Sequence, residues 1–329
     1  MTSQAGEEKK GFLWKQEYLS PLPIPTGEPA SDVLNMIWRK SDTYLDVGSI
    51  SLAGAWATYH LGSVLFLGVI LYVLSYGMYF AAFMFFLLGA ILMGFLWIVF
   101  IRLYRRPLPP PLRFHRHRRD VRITTPDGEE WTVPWERVHA IAPGITMVGQ
   151  FGAAQMGGLL LWFPYAHEID APYHEDKEGW LMMVSPGPGI AAMQQWECIR
   201  SFMEIGPEAV PEPLKDVRQT SLKNIFLEEF RSARQKRGLV LALLWDVGVG
   251  CVLFNLVTYH WLHKKKFAVI PDLESPEAIA WSQPLPPELW VRRSPELETA
   301  IAERERERDL AHLNSTHKCN AHPCIHFVR

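Results

Sequence analysis

Leu61–Ile101 reads LGSVLFLGVILYVLSYGMYFAAFMFFLLGAILMGFLWIVFI, and the meaning of this stretch decides the fold. From it outward to Asp46 on one side and Arg102 on the other there is no Asp, Glu, Lys or Arg. A helix of about 20 residues crosses a hydrocarbon core roughly 30 Å thick, so a run of this length predicts two spans rather than one. Ser75-Tyr76-Gly77 supplies the break, because a small residue, an interface-seeking aromatic and a turn former meet there. We expect one helix near Ala57 to Leu74 and a second near Met78 to Leu103. A buried soluble hairpin is the alternative, but such helices keep a polar stripe, which this run lacks.

The flanks set the orientation. Arg39 and Lys40 precede the run, and Arg102, Arg105, Arg106, Arg113, Arg116, Arg118 and Arg119 follow it, while the tip carries no Lys or Arg. By the positive-inside rule both ends are cytosolic, which predicts a multi-pass membrane protein with its main soluble domain in the cytosol. The arginines have two readings: a topology determinant, or a grip on anionic lipid headgroups through Arg113, Arg116, Arg118 and Arg119. Nucleic acid is not an expected partner. The whole chain of 329 residues balances Lys+Arg 33 against Asp+Glu 35 for a net charge of −2, and no zinc-finger or RNA-recognition motif accompanies the arginines. Four cysteines are too few for a disulfide scaffold.

Before the apolar run, residues 1–56 form a proline-rich arm with too few apolar residues for a core of its own. A short helix is expected near Ser31 to Arg39, capped by Ser31 or Asp32. No compact charged-then-apolar leader opens the chain, so no cleaved signal peptide is expected. After the hairpin (57–104), Pro107 to Pro111 is a stiff segment that cannot continue a helix. Residues 112–215 then change to an α+β pattern: a strand over Arg113 to Thr124, a turn at Pro126-Asp127-Gly128-Glu129, and a returning strand over Trp131 to Pro134. Ile145 to Phe151, Gly158 to Phe163 and Trp180 to Val184 add strands to the same sheet. Ile190, Met193, Trp196, Ile199, Phe202 and Met203 recur at spacings of three and four, which marks one apolar helix face between Pro188-Gly189 and Gly206-Pro207. Antiparallel strands followed by one helix make an outline comparable to pleckstrin-homology-like domains.

A third apolar run, Gly238 to Leu262, contains Asp246 and Asn255. Its Leu, Val and Phe residues, at about −0.3 to −0.6 kcal/mol each, outweigh roughly +3 kcal/mol for one central aspartate, so a third membrane helix over 238–262 is expected; re-entrant or interfacial packing is the alternative. An intramembrane Asp246 is a candidate partner-binding group, or a neutral, protonated side chain. The tail, 263–329, is polar: Pro271 to Pro287 reads as loop, and a charged, solvated helix starts with Ser294 as cap and Pro295 at its first position. Glu303 with Arg306 and Glu305 with Arg308 are its attractive pairs.

Candidate metal ligands are few. His167, Glu168, Asp170, His174, Glu175 and Asp176 share a stretch without ligand spacing, which reads as a solvated acidic loop. His312, His317, Cys319, His322, Cys324 and His326 crowd the tail, of which His317, Cys319, His322 and Cys324 are the candidates for zinc, without the usual knuckle context. There is no nucleophile elbow, phosphate loop, dinucleotide fingerprint or zinc-protease helix, and Gly187-Pro188-Gly189 reads as a turn. A binding role without catalysis and without a cofactor is therefore expected.

Three strings carry a resemblance: Pro111-Leu112-Arg113-Phe114-His115-Arg116-His117-Arg118-Arg119-Asp120-Val121, Val133-Pro134-Trp135-Glu136, and Trp196 to Pro211 with its Ile199-Arg200-Ser201-Phe202-Met203-Glu204-Ile205-Gly206-Pro207. The chain resembles, over roughly residues 40 to 270, an uncharacterised family of Gram-negative bacterial membrane proteins whose genes often lie near those for type VI secretion spikes and effectors. The resemblance implies a hairpin, a cytosolic sheet domain and a later apolar segment. It also implies a protein partner: a cognate toxin, if the role is immunity, or a secretion-system protein, if the role is effector loading. A lipid-responsive module is the third reading. The family has no established catalytic residues, and the His-Cys tail lies outside the resemblance.

Overall fold

The computed structural model describes residues 5–12, 14–20, 22–32, 35–48, 52–125, 127–149, 152–168, 179–184, 189–213, 222–253 and 255–321. In chain order the elements are β1 (Glu8–Lys10), β2 (Trp14–Tyr18), β3 (Ile37–Lys40), β4 (Tyr44–Val47), α1 (Ala53–Ser75), α2 (Tyr79–Arg105), β5 (Leu112–His115), β6 (Asp120–Thr124), β7 (Glu130–Pro134), β8 (His139–Gly149), β9 (Gly152–Gly157), β10 (Leu159–Pro164), β11 (Gly179–Val184), α3 (Gly189–Glu204), α4 (Leu222–Arg237), α5 (Leu239–Ala242), α6 (Leu256–Lys266), α7 (Pro276–Trp281) and α8 (Pro295–Ala321). The class is α+β. The chain divides into two compact units, one built from Met1–Ser49, Pro110–Pro211 and Leu273–Arg329, the other from Ile50–Pro109 and Glu212–Asp272.

The first unit holds two antiparallel sheets where the sequence suggested one. The order of one is β1-β2-β8-β10-β11, with β9 on β8; the order of the other is β3-β4-β5-β6-β7. Alternation fills the space between them: Leu45, Val47, Phe114, Val121, Ile123 and Val133 of the second sheet share a core with Leu159, Leu161, Phe163 and Val184 of the first. The expected amphipathic helix is present as α3, and its Trp196, Ile199 and Phe202 are wholly buried in the same core. Each such side chain contributes about 1.5–3 kcal/mol by leaving water, which is why the spacing of three and four was legible.

Several expectations are corrected here. The N-terminal arm is not a separate segment without a core. It supplies β1 and β2 to the first sheet and β3 and β4 to the second, with Met36, Ile37, Leu45 and Val47 buried. The helix expected over Ser31 to Arg39 is not formed; Ile37–Lys40 is a strand. Asp32 does accept backbone N–H groups, from Met36 (2.7 Å) and Ile37 (2.9 Å), but Asn35 sits at φ 56, and that left-handed residue turns the chain into β3 instead of propagating a helix. The single strand over Arg113 to Thr124 is a hairpin, β5 and β6, turned at Arg116–Arg119 with Arg119 at φ 53. The loop expected over Pro271 to Pro287 contains α7, capped by Ser275, with Ala278 and Ser282 buried. The charged helix is α8, and Ser294 caps it as expected, its Oγ accepting from the Leu297 N–H at 3.1 Å. Its first turns are not solvated, since Leu297 and Ile301 are buried. Of its charges, Arg304 pairs with Glu307 at 3.1 Å.

In the second unit, α1 and α2 form the expected hairpin, 23 and 27 residues long, both long and apolar enough to cross a membrane. The turn comes where the sequence placed it, with Gly77 at φ 72, a conformation that glycine adopts without steric cost. Close packing is set by Gly89, where an added Cβ would lie 2.9 Å from the Phe66 ring. This hairpin is an insertion in the second sheet: β4 and β5, the strands on either side of it in sequence, pair with each other, and Val47 lies opposite Leu112.

The third apolar run is not the continuous helix expected over Gly238 to Leu262. The 4 residues of α5 continue into 11 π-wound residues, Leu243–Leu253, and together these fall short of the about 20 residues that cross a bilayer. Asn255, at φ 46, then starts a new helix by capping α6, with its Oδ1 accepting from the Thr258 N–H at 3.4 Å and also from Thr258 Oγ1 at 2.9 Å. Asn is the residue type that tolerates this conformation and caps at once.

Candidate functional site

The arginine-rich hairpin has two faces because strand side chains alternate. Leu112, Phe114, Val121 and Ile123 point into the core, and Arg113, His115 and Arg122 take the other face. Arg113 and Arg122 are register partners, so two guanidinium groups stand side by side. Each has its own carboxylate. Arg113 Nε donates to Asp46 Oδ1 at 2.6 Å and Arg113 Nη2 to Asp46 Oδ2 at 2.7 Å, in bidentate geometry; Arg122 donates to Glu130 at 2.7 Å.

A C-terminal strap, Leu273 to Ser294, covers this face. Arg113 Nη1 donates to Ser282 Oγ (2.9 Å), Arg118 Nε to the Trp281 carbonyl (3.1 Å), and Ser275 Oγ to Glu130 (2.8 Å). His115 Nε2 lies 3.2 Å from the Gln283 carbonyl, and its ring meets Trp281 edge-on at 5.0 Å. The ring of His117 stacks on Trp290, while its carbonyl accepts from the Val291 N–H at 2.9 Å. Burial behind this strap pushes His115 down to about 4, with the charge of Arg118 adding to the effect; the contact with Gln283 opposes it.

Glu204, at the carboxyl end of α3, is the node of the arrangement. Its carboxylate accepts from Arg119 (3.1 and 2.8 Å), Trp135 Nε1 (2.8 Å) and Arg293 Nε (2.6 Å). Arg119 Nη2 also reaches Glu136 at 3.0 Å. Burial alone would raise Glu204, but these donors and the charges of Arg119 and Arg293 hold it below the usual carboxylate range. A carboxylate ionised and saturated in this way is a structural anchor and has no free lone pair for proton transfer. The three strings that carry the resemblance meet here, since Arg119, Trp135, Glu136 and Glu204 come one or two from each.

Comparison of the chain with protein-family models, curated proteins and solved structures returns no match. The site is therefore read from its own geometry.

That geometry corrects Arg113 and Arg119 as lipid ligands: both guanidinium groups are buried and paired within the fold. Arg116 and Arg118 are also engaged, with the Ile205 and Trp281 carbonyls respectively. Asp246 falls in the π-wound turns, and its side chain lies outside the described residues. The side chains of His317 and Cys319 on α8, and the whole of His322 and Cys324, lie outside them too. His167 stacks on Tyr165, while Asp170, His174, Glu175 and Asp176 are not described. Among the described residues no group of three His, Cys, Asp or Glu could hold a metal. Cys198 is buried, its thiol pushed up to about 12, which makes it unreactive.

In the second unit, chemistry concentrates at the ends of the hairpin. Trp56, Tyr59, His60, Trp97, Phe100 and Tyr104 form a contiguous aromatic cluster at the base, where Trp97 Nε1 donates to Ser63 Oγ at 3.0 Å. Tyr72, Tyr76 and Tyr79 stand exposed at the tip. Between them lie exposed apolar side chains, with Phe80 77%, Ile91 72% and Phe95 63% accessible. At the base α6 is tied to α2: Tyr104 Oη donates to the Leu262 carbonyl (3.1 Å), and Lys266 Nζ donates to the carbonyls of Tyr104 (2.7 Å) and Arg106.

Proposed function

We propose that the chain is an integral protein of the bacterial inner membrane, anchored by α1 and α2, with both ends of the hairpin in the cytosol and its two-sheet unit serving as a binding platform of pleckstrin-homology-like outline for a protein partner. One observation carries the anchor: α2 exposes large apolar side chains along its length, α1 does so from Leu65 onward, and the two place rings at both ends, the pattern of an acyl-chain zone bounded by interfaces. Tyr79 and Trp97 are separated by about 27 Å at roughly 1.5 Å per residue, close to one hydrocarbon thickness.

The platform reading rests on an edge. Among the described residues β11 pairs only with β10, and its Leu181 and Met183 are 57% and 55% exposed while Met182 and Val184 are buried. An unpaired strand edge with outward apolar side chains suits addition of a partner strand. The saturated Glu204 and the buried arginines favour binding over catalysis. Given the resemblance, the partner is a type VI secretion toxin, and the role is immunity; loading of an effector is the competing role.

Deletion of the gene separates them. Immunity requires that deletion kills cells only when a neighbouring toxin gene is intact; survival of that strain overturns immunity, and loss of effector export without killing supports loading. For the anchor, the full chain should stay in the membrane pellet after alkaline carbonate washing, and its release would overturn that reading.

A further inference from the structure

The arginines that the fold consumes and the arginines that it leaves available fall on opposite sides of Pro107–Pro111. Arg113, Arg116, Arg118, Arg119 and Arg122 all donate to groups of their own chain. Arg102, Arg105 and Arg106 do not: all three are exposed, and among the described residues none has an ion pair or side-chain hydrogen bond. Their spacing of three and four puts them on one face of the last turn of α2.

Height along the helix matters next. The 27 residues of α2 extend about 40 Å at roughly 1.5 Å per residue, some 10 Å more than a hydrocarbon core of about 30 Å. If the tip tyrosines lie at one interface, Arg102 to Arg106 emerge at the phosphates of the other, beside Trp97 and Tyr104 in the ring belt.

A helix carboxyl end carries roughly half a negative charge, which would repel a phosphate. Lys266 removes that obstacle, because its ammonium group caps the Tyr104 and Arg106 carbonyls. The same docking of α6 brings Lys265 to this end, exposed and with its ammonium group 4.3 Å from the centroid of the Trp261 ring. A ring below and a cation above is the arrangement of a residue placed between acyl chains and headgroups.

We infer that Arg102 and Arg105 of α2 and its C-cap Arg106, joined by Lys265 of α6, form a binding site for the phosphate groups of anionic phospholipids. The inference rests on the membrane reading above and deepens it by naming the lipid class and the cations that select it. The ligand is the headgroup layer of the cytosolic leaflet, whose negative potential favours each nearby Lys or Arg.

The test uses the full chain in detergent, titrated with brominated phosphatidylglycerol or brominated phosphatidylcholine while tryptophan fluorescence is read. Trp97 and Trp261 lie at the site, so bound lipid quenches. The expected result is a ratio of apparent affinities, phosphatidylglycerol over phosphatidylcholine, well above one. It should fall about fivefold for each cation removed in Arg102→Gln, Arg105→Gln and Arg106→Gln, and toward one in high salt for the unmodified protein. Arg116→Gln with Arg118→Gln should leave it unchanged. Quenching by phosphatidylcholine monitors insertion, so a variant that fails to fold is recognised, and the single substitutions and the salt series then decide. A ratio of one in the unmodified protein, or a ratio insensitive to the three arginines, overturns the site while leaving the anchor standing. Absence of quenching by either lipid overturns the anchor and the site together.

Discussion

His117 stacks face to face on Trp290, with ring centroids 4.0 Å apart and planes within 9°. A turn residue of the second sheet is thereby joined to a residue far along the chain, and the neighbouring backbone bond from Val291 to His117 locks the same point. Removing the ring should free the strap. Trp290→Ala is expected to cost about 0.5–1.5 kcal/mol beyond lost area and to speed tryptic cleavage at Arg292 and Arg293. Unchanged cleavage of the folded variant would show that the other strap contacts suffice.

Asp46 and Arg113 are both buried, so the pair is worth more for what its loss exposes than for its own attraction. Asp46→Asn should cost about 3–5 kcal/mol because it leaves a guanidinium group buried without its carboxylate, whereas Asp46→Leu with Arg113→Met should lie near the unmodified protein. Chemical denaturation of the three proteins in one detergent would check this order.

Arg116 and Arg119 are three residues apart in one turn, yet their substitutions should differ sharply. Arg119→Gln takes two of its four donors from the buried Glu204, leaving Arg293 and Trp135, and is expected to cost about 2–3 kcal/mol. Arg116→Gln loses one solvent-reachable bond to the Ile205 carbonyl and should cost about 1 kcal/mol or less. Equal losses in thermal unfolding would contradict the network described for Glu204.

Acid should loosen the two-sheet unit. Burial holds His115 and His139 down to about 4, below the ordinary 6.5, helped by the charges of Arg118 and of Arg137. The unfolded chain therefore takes up protons that the folded chain refuses, and stability, fully present above pH about 6.5, is lost as pH falls toward about 4. Asp120 acts in the opposite sense, since burial raises it to about 6 and the folded form gains a proton first. Asp120→Asn should consequently steepen the acid loss of stability, measured as denaturation midpoints across that window.

Gly48 tests the packing where the second sheet begins its insertion. An added Cβ there would fall 1.9 Å from the ring of Trp38, which is buried. Gly48→Ala should destabilise by roughly 1–3 kcal/mol through forced displacement of that ring, read as a lower unfolding temperature.

The readable part of this fold was the part with long periodic signals. The uncharged run fixed two apolar helices and their turn at Gly77, and the spacing of Trp196, Ile199 and Phe202 fixed α3. Isolated strands were less legible. Ile37–Lys40 is too short for a period, and its local pattern of Asp32 followed by apolar residues suits a helix equally; only its pairing with β4 decides. Asn255 was seen as a polar residue in an apolar run, but its left-handed backbone, which splits the run, has no periodic signature. The arginine cluster misled for a related reason. Charge in a sequence carries no record of its counter-charge, and the carboxylates that neutralise Arg113, Arg119 and Arg122 come from Asp46, Glu204 and Glu130 on other elements. The strap was missed because proline-rich polar chain looks like a linker, although Leu273, Ala278 and Ser282 are its buried footholds.

The register of Val47 against Leu112 has a consequence for biogenesis. A ribosome delivers β3 and β4 first, then a greasy excursion, and only afterwards the strand that zips against β4. Closing so distant a pair is entropically slow unless the intervening chain has already collapsed into a short tether. In a chain made at the membrane, integration of the hairpin by the translocation machinery supplies that tether, so sheet assembly waits on insertion. On the membrane reading proposed above, a polypeptide whose hairpin is not integrated would keep β4 without β5 and be open to proteases, and the interrupted sheet would act as a check on delivery.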